Sequence, residues 1–484
     1  MPPYRQRVVA PPAQPAGCFA RGVAPPLWQS AGFGSVGCPP PPCAPCAASA
    51  RLGLALAAPP FSVGAWLRGG SRRGKDTPLG FPAHTLPYRC RKLTTLSTVS
   101  PGAAGFPQRR ERGTFHTETM KNFWKQYRKL HIWLAADAAV LGLYLVLRHS
   151  RRLMNVFAAY VTSPLKAALG RLCALTSLSV MEMLYVLAAA GAAAYLVWSI
   201  FAVVKAKGSR RRRAGAALLG AADILLTIYA LFCLMWGVNY WTDSFQEQSG
   251  ITAQPVAAED LRAVTAYFAR QLADTADTVP RDENGVYDVP KEQILSESRQ
   301  VYGGVTELFP FLDFPDTGVK AVHCSRLMSV MGFTGVYFAC IGESNVNVDS
   351  PACLLPSTIA HELAHQRGIA REQECNFLGV LASVTSGMPE YAYSGWLLGF
   401  IHLGNALYET DPEAYWAIRD TLPDTVRADL RDNNAYWDQF RDNVVEKVSD
   451  TVYDAALKSY GDANGMKSYS MVVELLVAYY RDGI

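Results

Sequence analysis

Histidine is scarce in this chain, eight residues in 484. A regular histidine pattern is therefore not expected by accident. Negative charge is scarce as well, but only in the first half. Residues 1–119 carry 14 Lys and Arg against three acids, and residues 120–238 carry 15 against three. Residues 239–484 reverse this, with 17 against 35. The chain thus divides into a basic leader, a basic apolar block and an acidic part long enough for one domain with a closed core. A nucleic-acid surface is excluded, because the basic residues lie in the leader and beside apolar runs rather than on one folded face.

The leader lacks what a folded domain needs. Residues 1–119 hold 19 of the 30 prolines and show no helical period. The apolar stretch Leu52–Ala58 is stopped by Pro59-Pro60, too short to span a bilayer and without a signal-peptide layout. Cys38, Cys43 and Cys46 have loose metal-like spacing, but no second pair follows. Met120-Lys121-Asn122-Phe123-Trp124-Lys125 reads as an ordinary membrane-protein start. Residues 1–119 are expected to be a disordered leader or a start-site artefact.

Residues 120–240 hold three apolar runs, at about 131–147, 183–204 and 216–238. Each approaches the roughly 20 residues that cross a hydrocarbon core. Asp137 and Asp223 lie inside the first and third, where a buried acid most often serves helix packing. Small residues from Ala188 to Ala194 would let the second span approach a neighbour closely. Lys121, Lys125, Arg128 and Lys129 precede the first span, and Lys205, Lys207 and Arg210–Arg213 join the second to the third. Both clusters point to the cytoplasm. The first connection also carries Arg148, Arg151, Arg152, Lys166 and Arg171, which argues weakly the other way. An odd number of spans places residues 241–484 outside the cytoplasm, on a multi-pass protein of the cell membrane.

The histidine pattern is His361-Glu362-Leu363-Ala364-His365. Residues four apart on a helix differ by about 40° around the axis and about 6 Å along it. Both imidazoles can therefore reach one cation, with Glu362 beside it to take a proton from water. The plain alternative is an amphipathic helix with two ordinary polar residues. Leu355-Pro356-Ser357-Thr358 leads in, with Ser357 or Thr358 as the expected N-cap, and Gly368 offers a C-terminal break. A second helix from about Ala370 carries Glu372 and Glu374. A catalytic zinc takes three protein ligands and leaves one position open. Glu372 is the expected third ligand, Glu374 the reserve and Cys375 a distant third. Two acids in a solvated first turn would look the same.

Helical period continues over about 257–272, 291–308, 391–408, 412–418, 423–432, 434–460 and 467–481, the last two expected to pack as a hairpin over the site. Residues 320–324, 335–341 and 344–348 read instead as short strands separated by glycine turns. A strand beside the metal could accept a peptide along its edge; a plain core hairpin is the alternative. His323 and His402 are either further ligands or satisfied structural residues. Glu343, Tyr391 and Tyr393 are possible cleft-lining residues, since a tyrosine hydroxyl can serve a developing oxyanion. Cys324 and Cys340 could form a bridge between strands.

Several motifs occur together. Trp236-Gly237-Val238-Asn239-Tyr240 follows the third span; then come Gly332-Phe333-Thr334-Gly335-Val336-Tyr337-Phe338, Glu343-Ser344-Asn345-Val346-Asn347, the run from His361 to Glu372, and Tyr393-Ser394-Gly395. In this order, over roughly residues 120–484, they resemble a bacterial membrane family, domain-of-unknown-function family 3810. The resemblance implies a zincin-like metal site and supplies no substrate. The family pattern after the glycine reads closer to REDEANF. Here Glu372, Glu374 and Asn376 match, while Gln373 and Cys375 depart, leaving open a Cys-ligated or redox-sensitive variant. The spacing from Glu372 to Asn376 is similar to that of zinc peptidases whose first glutamate binds metal. The expected fold class is mainly α: a three-helix transmembrane anchor, then a zincin-like, mostly helical domain with a small β-sheet. The expected activity is that of a membrane-anchored Zn2+-dependent metallopeptidase acting on a peptide or protein. The alternative is a tethered sensor or scaffold with a structural metal. A transporter, suggested by Asp137 and Asp223, fits poorly with three spans and one large domain.

Overall fold

A computed structural model describes residues 122–440, 443–449, 451 and 469–484. The leader, its cysteines and the turn of the expected C-terminal hairpin, residues 452–468, lie outside the described residues. Helix makes up 73% of the structure, beside one three-stranded sheet.

Three helices are long and apolar enough to cross a membrane: α1 (Arg128–Leu147), α4 (Val180–Lys205) and α5 (Arg210–Met235). They begin three to six residues before the apolar runs: Arg and Lys, good helix formers, extend α1 and α5, and Ser179, which accepts from Glu182 N, caps α4. In the group, Thr227 Oγ1 donates to Asp137 Oδ2 at 2.9 Å and Trp133 Nε1 donates to Thr227 Oγ1 at 2.8 Å. Asp137 thus ties α1 to α5, in keeping with a packing role.

The connection between the first two spans is itself ordered. α2 (Arg151–Phe157) runs through a π-helical turn, Ala158–Thr162, into α3 (Ser163–Cys173). Its inner face, with Met154, Thr162, Lys166, Ala167, Gly170 and Cys173, is buried. Its outer face exposes Leu153, Val156, Tyr160, Leu165 and Leu172. The inner face docks on the C-terminal domain. Asn155 and Asp243 exchange two hydrogen bonds of 2.7 and 2.9 Å, and Lys320 Nζ donates to Cys173 O at 2.7 Å. Three crossings would put this connection and the C-terminal domain on the same side, as these contacts require.

After α5 a 3-10 turn, Gly237–Trp241, leads into α6 (Phe245–Ser249) and α7 (Ala258–Thr275). The expected helix over 291–308 is broken into α8 (Lys291–Glu297) and α9 (Gly303–Leu308) near Gly303-Gly304, where helix propensity is lowest. Then come β1 (Val319–Ala321), α10 (Ser325–Val330), β2 (Gly335–Phe338) and β3 (Glu343–Val346). The order in the sheet is β1-β3-β2, with β1 parallel and β2 antiparallel to β3. Among the described residues β2 therefore pairs with a strand on one edge only. The expected Cys324–Cys340 bridge is absent; both thiols are free. Cys324 follows β1 and Cys340 follows β2, on opposite edges of the sheet. Two strand spacings are about 9–10 Å, beyond the reach of a disulfide.

The remaining helices are α11 (Leu355–Gln366), α12 (Glu372–Thr385), α13 (Pro389–Thr410), α14 (Pro412–Arg419), α15 (Asp424–Asp438) and α16 (Tyr469–Tyr480). The break expected near residue 433 does not occur, and Asn433 lies inside α15. α11 is buried along its whole length. Ile359 and Leu363 on α11 join Phe268 of α7, Phe377 and Leu381 of α12, Phe400 of α13 and Leu476 of α16 in one core.

The sheet grips the second span. Glu343 on β3 accepts from Val180 N at 3.3 Å, Met181 N at 3.0 Å and Lys320 Nζ at 2.7 Å. Glu182 on α4 answers by accepting from His323 N and Cys324 N at 2.9 and 2.8 Å, near the start of α10. Glu343 thus sits at the positive end of α4, and Glu182 at that of α10. Removing one member of a buried, hydrogen-bonded pair typically costs about 3–5 kcal/mol. Glu343→Ala is expected to destabilise the full chain in detergent by that margin, read as a lower thermal midpoint; an unchanged midpoint would show that this grip contributes nothing.

Candidate metal centre

α11 begins at Leu355 with Pro356 in its first turn, where a missing N–H costs nothing. Ser357 and Thr358 are not the N-cap: their hydroxyls both donate back to Leu354 O. The helix presents His361 and His365 on one side. Gly368, at φ +89°, ends it in the left-handed region. That turn brings Ile369 O to within 2.8 Å of His365 Nδ1. His361 Nδ1 lies 3.0 Å from Asn376 Oδ1. The Asn376 amide is oriented by Nδ2 donating to Glu372 O at 2.5 Å, so its oxygen faces the ring. A carbonyl can only accept. Both imidazoles therefore carry their proton on Nδ1, and both turn an Nε2 lone pair inward.

Those two Nε2 atoms are 3.1 Å apart. Glu372 brings Oε2 to 3.3 Å from His361 Nε2 and Oε1 to 3.5 Å from His365 Nε2. Neither Glu372 oxygen has a hydrogen-bond donor among the described residues. Three inward-facing donors repel unless a positive charge, a proton or a metal ion, joins them. Ligand bonds of about 2.0–2.1 Å in a tetrahedron give donor separations of about 3.3 Å. The residues present thus fit a divalent ion held on three corners of a tetrahedron.

The electrostatics ask for the same charge. Burial opposes ionisation of His365, yet Cys375 and Glu372 beside it hold its pKa well above the usual value. Burial lowers that of His361. Burial would also raise Glu372, but the two imidazoles hold it far below the usual carboxylate range. Glu362 is pushed up to about 8, mainly by burial and further by the Glu372 charge, against the pull of His365 and the Tyr337 amide. Gly335 lies so close to Glu362 that a Cβ there would overlap Oε1. Strand β2 thereby covers the carboxylate.

The other expected site residues lie elsewhere. Glu374 accepts from Phe245 N at 3.0 Å and Gln246 Nε2 at 3.3 Å, fastening α12 to the chain that leaves the third span. Cys375 Sγ sits 3.3 Å from His365 Nδ1, on the far side of the ring from Nε2. Neither fills a fourth position. The Tyr391 hydroxyl donates to Ile294 O at 2.7 Å, and that of Tyr393 donates to buried Asp429. Glu343 grips the second span. His323 is exposed. His402 is buried near His361, and burial with that neighbour pushes its pKa down to about 3. Sequence reasoning did not single out Trp236, whose ring stands edge-on to His365 at 5.5 Å, or the Ile369 carbonyl. Trp236 could have been suspected from its place in the first shared motif; Ile369 offers only a backbone atom, which no residue pattern marks.

All of these parts, from the π-helical turn to α16, fall within one family pattern. The family described as "Protein of unknown function (DUF3810)" matches residues 157–477. The chain belongs to that family. No curated protein and no solved structure matches the chain. The DUF3810 match takes in the sheet, both helices that carry the donor triangle and the second and third long apolar helices.

Proposed function

We propose that this DUF3810 protein is a membrane-anchored, zinc-dependent peptidase of zincin-like architecture. The observation that carries the reading is the donor triangle of His361, His365 and Glu372, with Glu362 beside it and no fourth protein donor among the described residues. Two imidazoles and one carboxylate suit zinc. When bound there, the ion supplies an acidified water and polarises a substrate carbonyl. Glu362 takes the proton of the attacking water and passes it to the departing amine. Burial suits that role by keeping its basicity near neutral. The other edge of β2, against α11, offers main-chain hydrogen bonds to an extended peptide.

The distribution of basic residues favours a domain outside the cytoplasm. The apolar outer face of α2–α3, joined to a span at each end, suits a connection lying at the bilayer surface. The substrate is then a peptide or protein segment close to the membrane. Nucleic acid has no part in it.

The second reading is a tethered scaffold with a structural metal, favoured by burial of every ligand. Structural zinc normally has four protein ligands, and Cys375 and Glu374 face away from the open corner. The test uses the full chain in detergent with an unfolded protein substrate. Hydrolysis is expected with zinc, to vanish with a chelator and to return on re-addition. A zinc-loaded protein that cuts nothing sinks the peptidase reading and leaves the scaffold.

A further inference from the structure

The first connection sends one charged side chain into the interior. Lys166, on α3, is 2% exposed. Among the described residues nothing accepts a hydrogen bond from its ammonium and no carboxylate pairs with it. Its partners are two ring faces: Nζ lies 5.5 Å from the Trp236 centroid and 5.6 Å from that of Tyr337. Ring faces answer part of a cation's charge and none of its three N–H bonds. The Tyr337 hydroxyl is buried without a partner among the described residues. The backbone of α3 lies hard against the β2–β3 turn, with Lys166 O meeting the place of a Cβ on Gly342. The lysine stem is therefore fixed at its root.

A buried ammonium without an anion is costly. Burial alone lowers the Lys166 pKa to about 7. The place is also informative. Trp236 touches both Lys166 and the His365 ring, and Tyr337 follows Val336 and Gly335 on the strand that covers Glu362. Two steps of 5.5 Å, Nζ to the Trp236 ring and that ring to His365, bound the gap; each residue of an extended peptide adds about 3.3–3.6 Å, so this spot lies within about three residues of a bond held at the metal centre.

We propose that the Lys166 ammonium and the Tyr337 hydroxyl form an anion subsite that receives a carboxylate of the substrate, within a few residues of the bond to be cut. The identity of the anion rests on the peptidase reading; the subsite itself does not. A carboxylate answers the ammonium with a charge-assisted hydrogen bond and accepts from the phenol on its other oxygen. It comes from a free C-terminus or from an acidic side chain. The connection between two membrane spans thus supplies a specificity-determining residue to a site built by the C-terminal domain.

The test is thermal unfolding of the full chain in detergent with three probes: N-acetyl-trialanine, its C-terminal amide, and N-acetyl-Ala-Glu-Ala amide. Without probe, Lys166→Met is expected to melt above wild type, by roughly 2–4 °C for a domain of this size, because an unanswered charge is gone. The free-carboxylate probe should raise the wild-type midpoint and the uncharged amide should not. A shift by the Glu amide as well assigns an acidic side chain; a shift by the free acid alone assigns a C-terminus. Lys166→Met should lose the shift, and Tyr337→Phe should weaken it without loss of fold. If neither carboxylate shifts wild type, or if Lys166→Met melts lower and keeps the shift, the proposal is overturned and the lysine is structural. Carboxylate-dependent stabilisation without hydrolysis leaves the subsite standing and counts against the peptidase reading alone.

Discussion

Glu362→Gln is expected to keep its metal and lose about 10²–10⁴-fold of its hydrolytic rate, the usual worth of positioned acid–base catalysis. The two halves of that result have separate causes. The metal should stay because Glu362 is no part of the donor triangle; His361, His365 and Glu372 are the three groups that could hold an ion. The rate falls because an amide cannot take a proton from water. The fold should tolerate the change, since the carboxylate is buried against Gly335 and a neutral amide of the same shape is no less at home there. Metal content, unfolding and turnover of a peptide substrate measured on one preparation separate these effects. Undiminished turnover by Glu362→Gln would remove this residue from the chemistry.

Much of the centre was legible in the sequence because it is local. His361, Glu362 and His365 share one turn of one helix, and Gly368 announces its end. Choosing Glu372 over Glu374 rested on spacing and resemblance. The physical reason lies 129 residues away, in the Phe245 amide that occupies Glu374. The same holds for Tyr393, whose hydroxyl is taken by Asp429, and for Glu343, whose partners are on the second span. A polar side chain in a motif says that it has a partner, not which one.

The three spans were legible because length and apolarity suffice. The connection between them was not. Its helix is apolar outward and carries Lys166 inward, the reverse of the pattern that marks a helix on a water-soluble domain. Read by that rule it looks like a loop. The strands were found but drawn too long; the second, drawn to 341, ends at Phe338, ahead of the turn that Gly342 makes at φ +67° before β3.

His361→Ala is the second large effect. It removes one corner of the triangle and leaves Asn376 without its imidazole partner. Loss of an outer-shell partner alone typically costs about 10–100-fold in metal affinity, and loss of a donor should cost more than that. Glu374→Gln is the matched comparison, on the same helix as Glu372 but bonded to Phe245 and Gln246; it should keep its metal.

Metal stoichiometry of the purified full chain, wild type against His361→Ala, reads the donor triangle without assuming any substrate. The expected values are one zinc per wild-type chain and none in the variant after equal dialysis. A wild-type chain that holds no metal after zinc loading, or a variant that holds as much as wild type, would contradict the coordination centre described here.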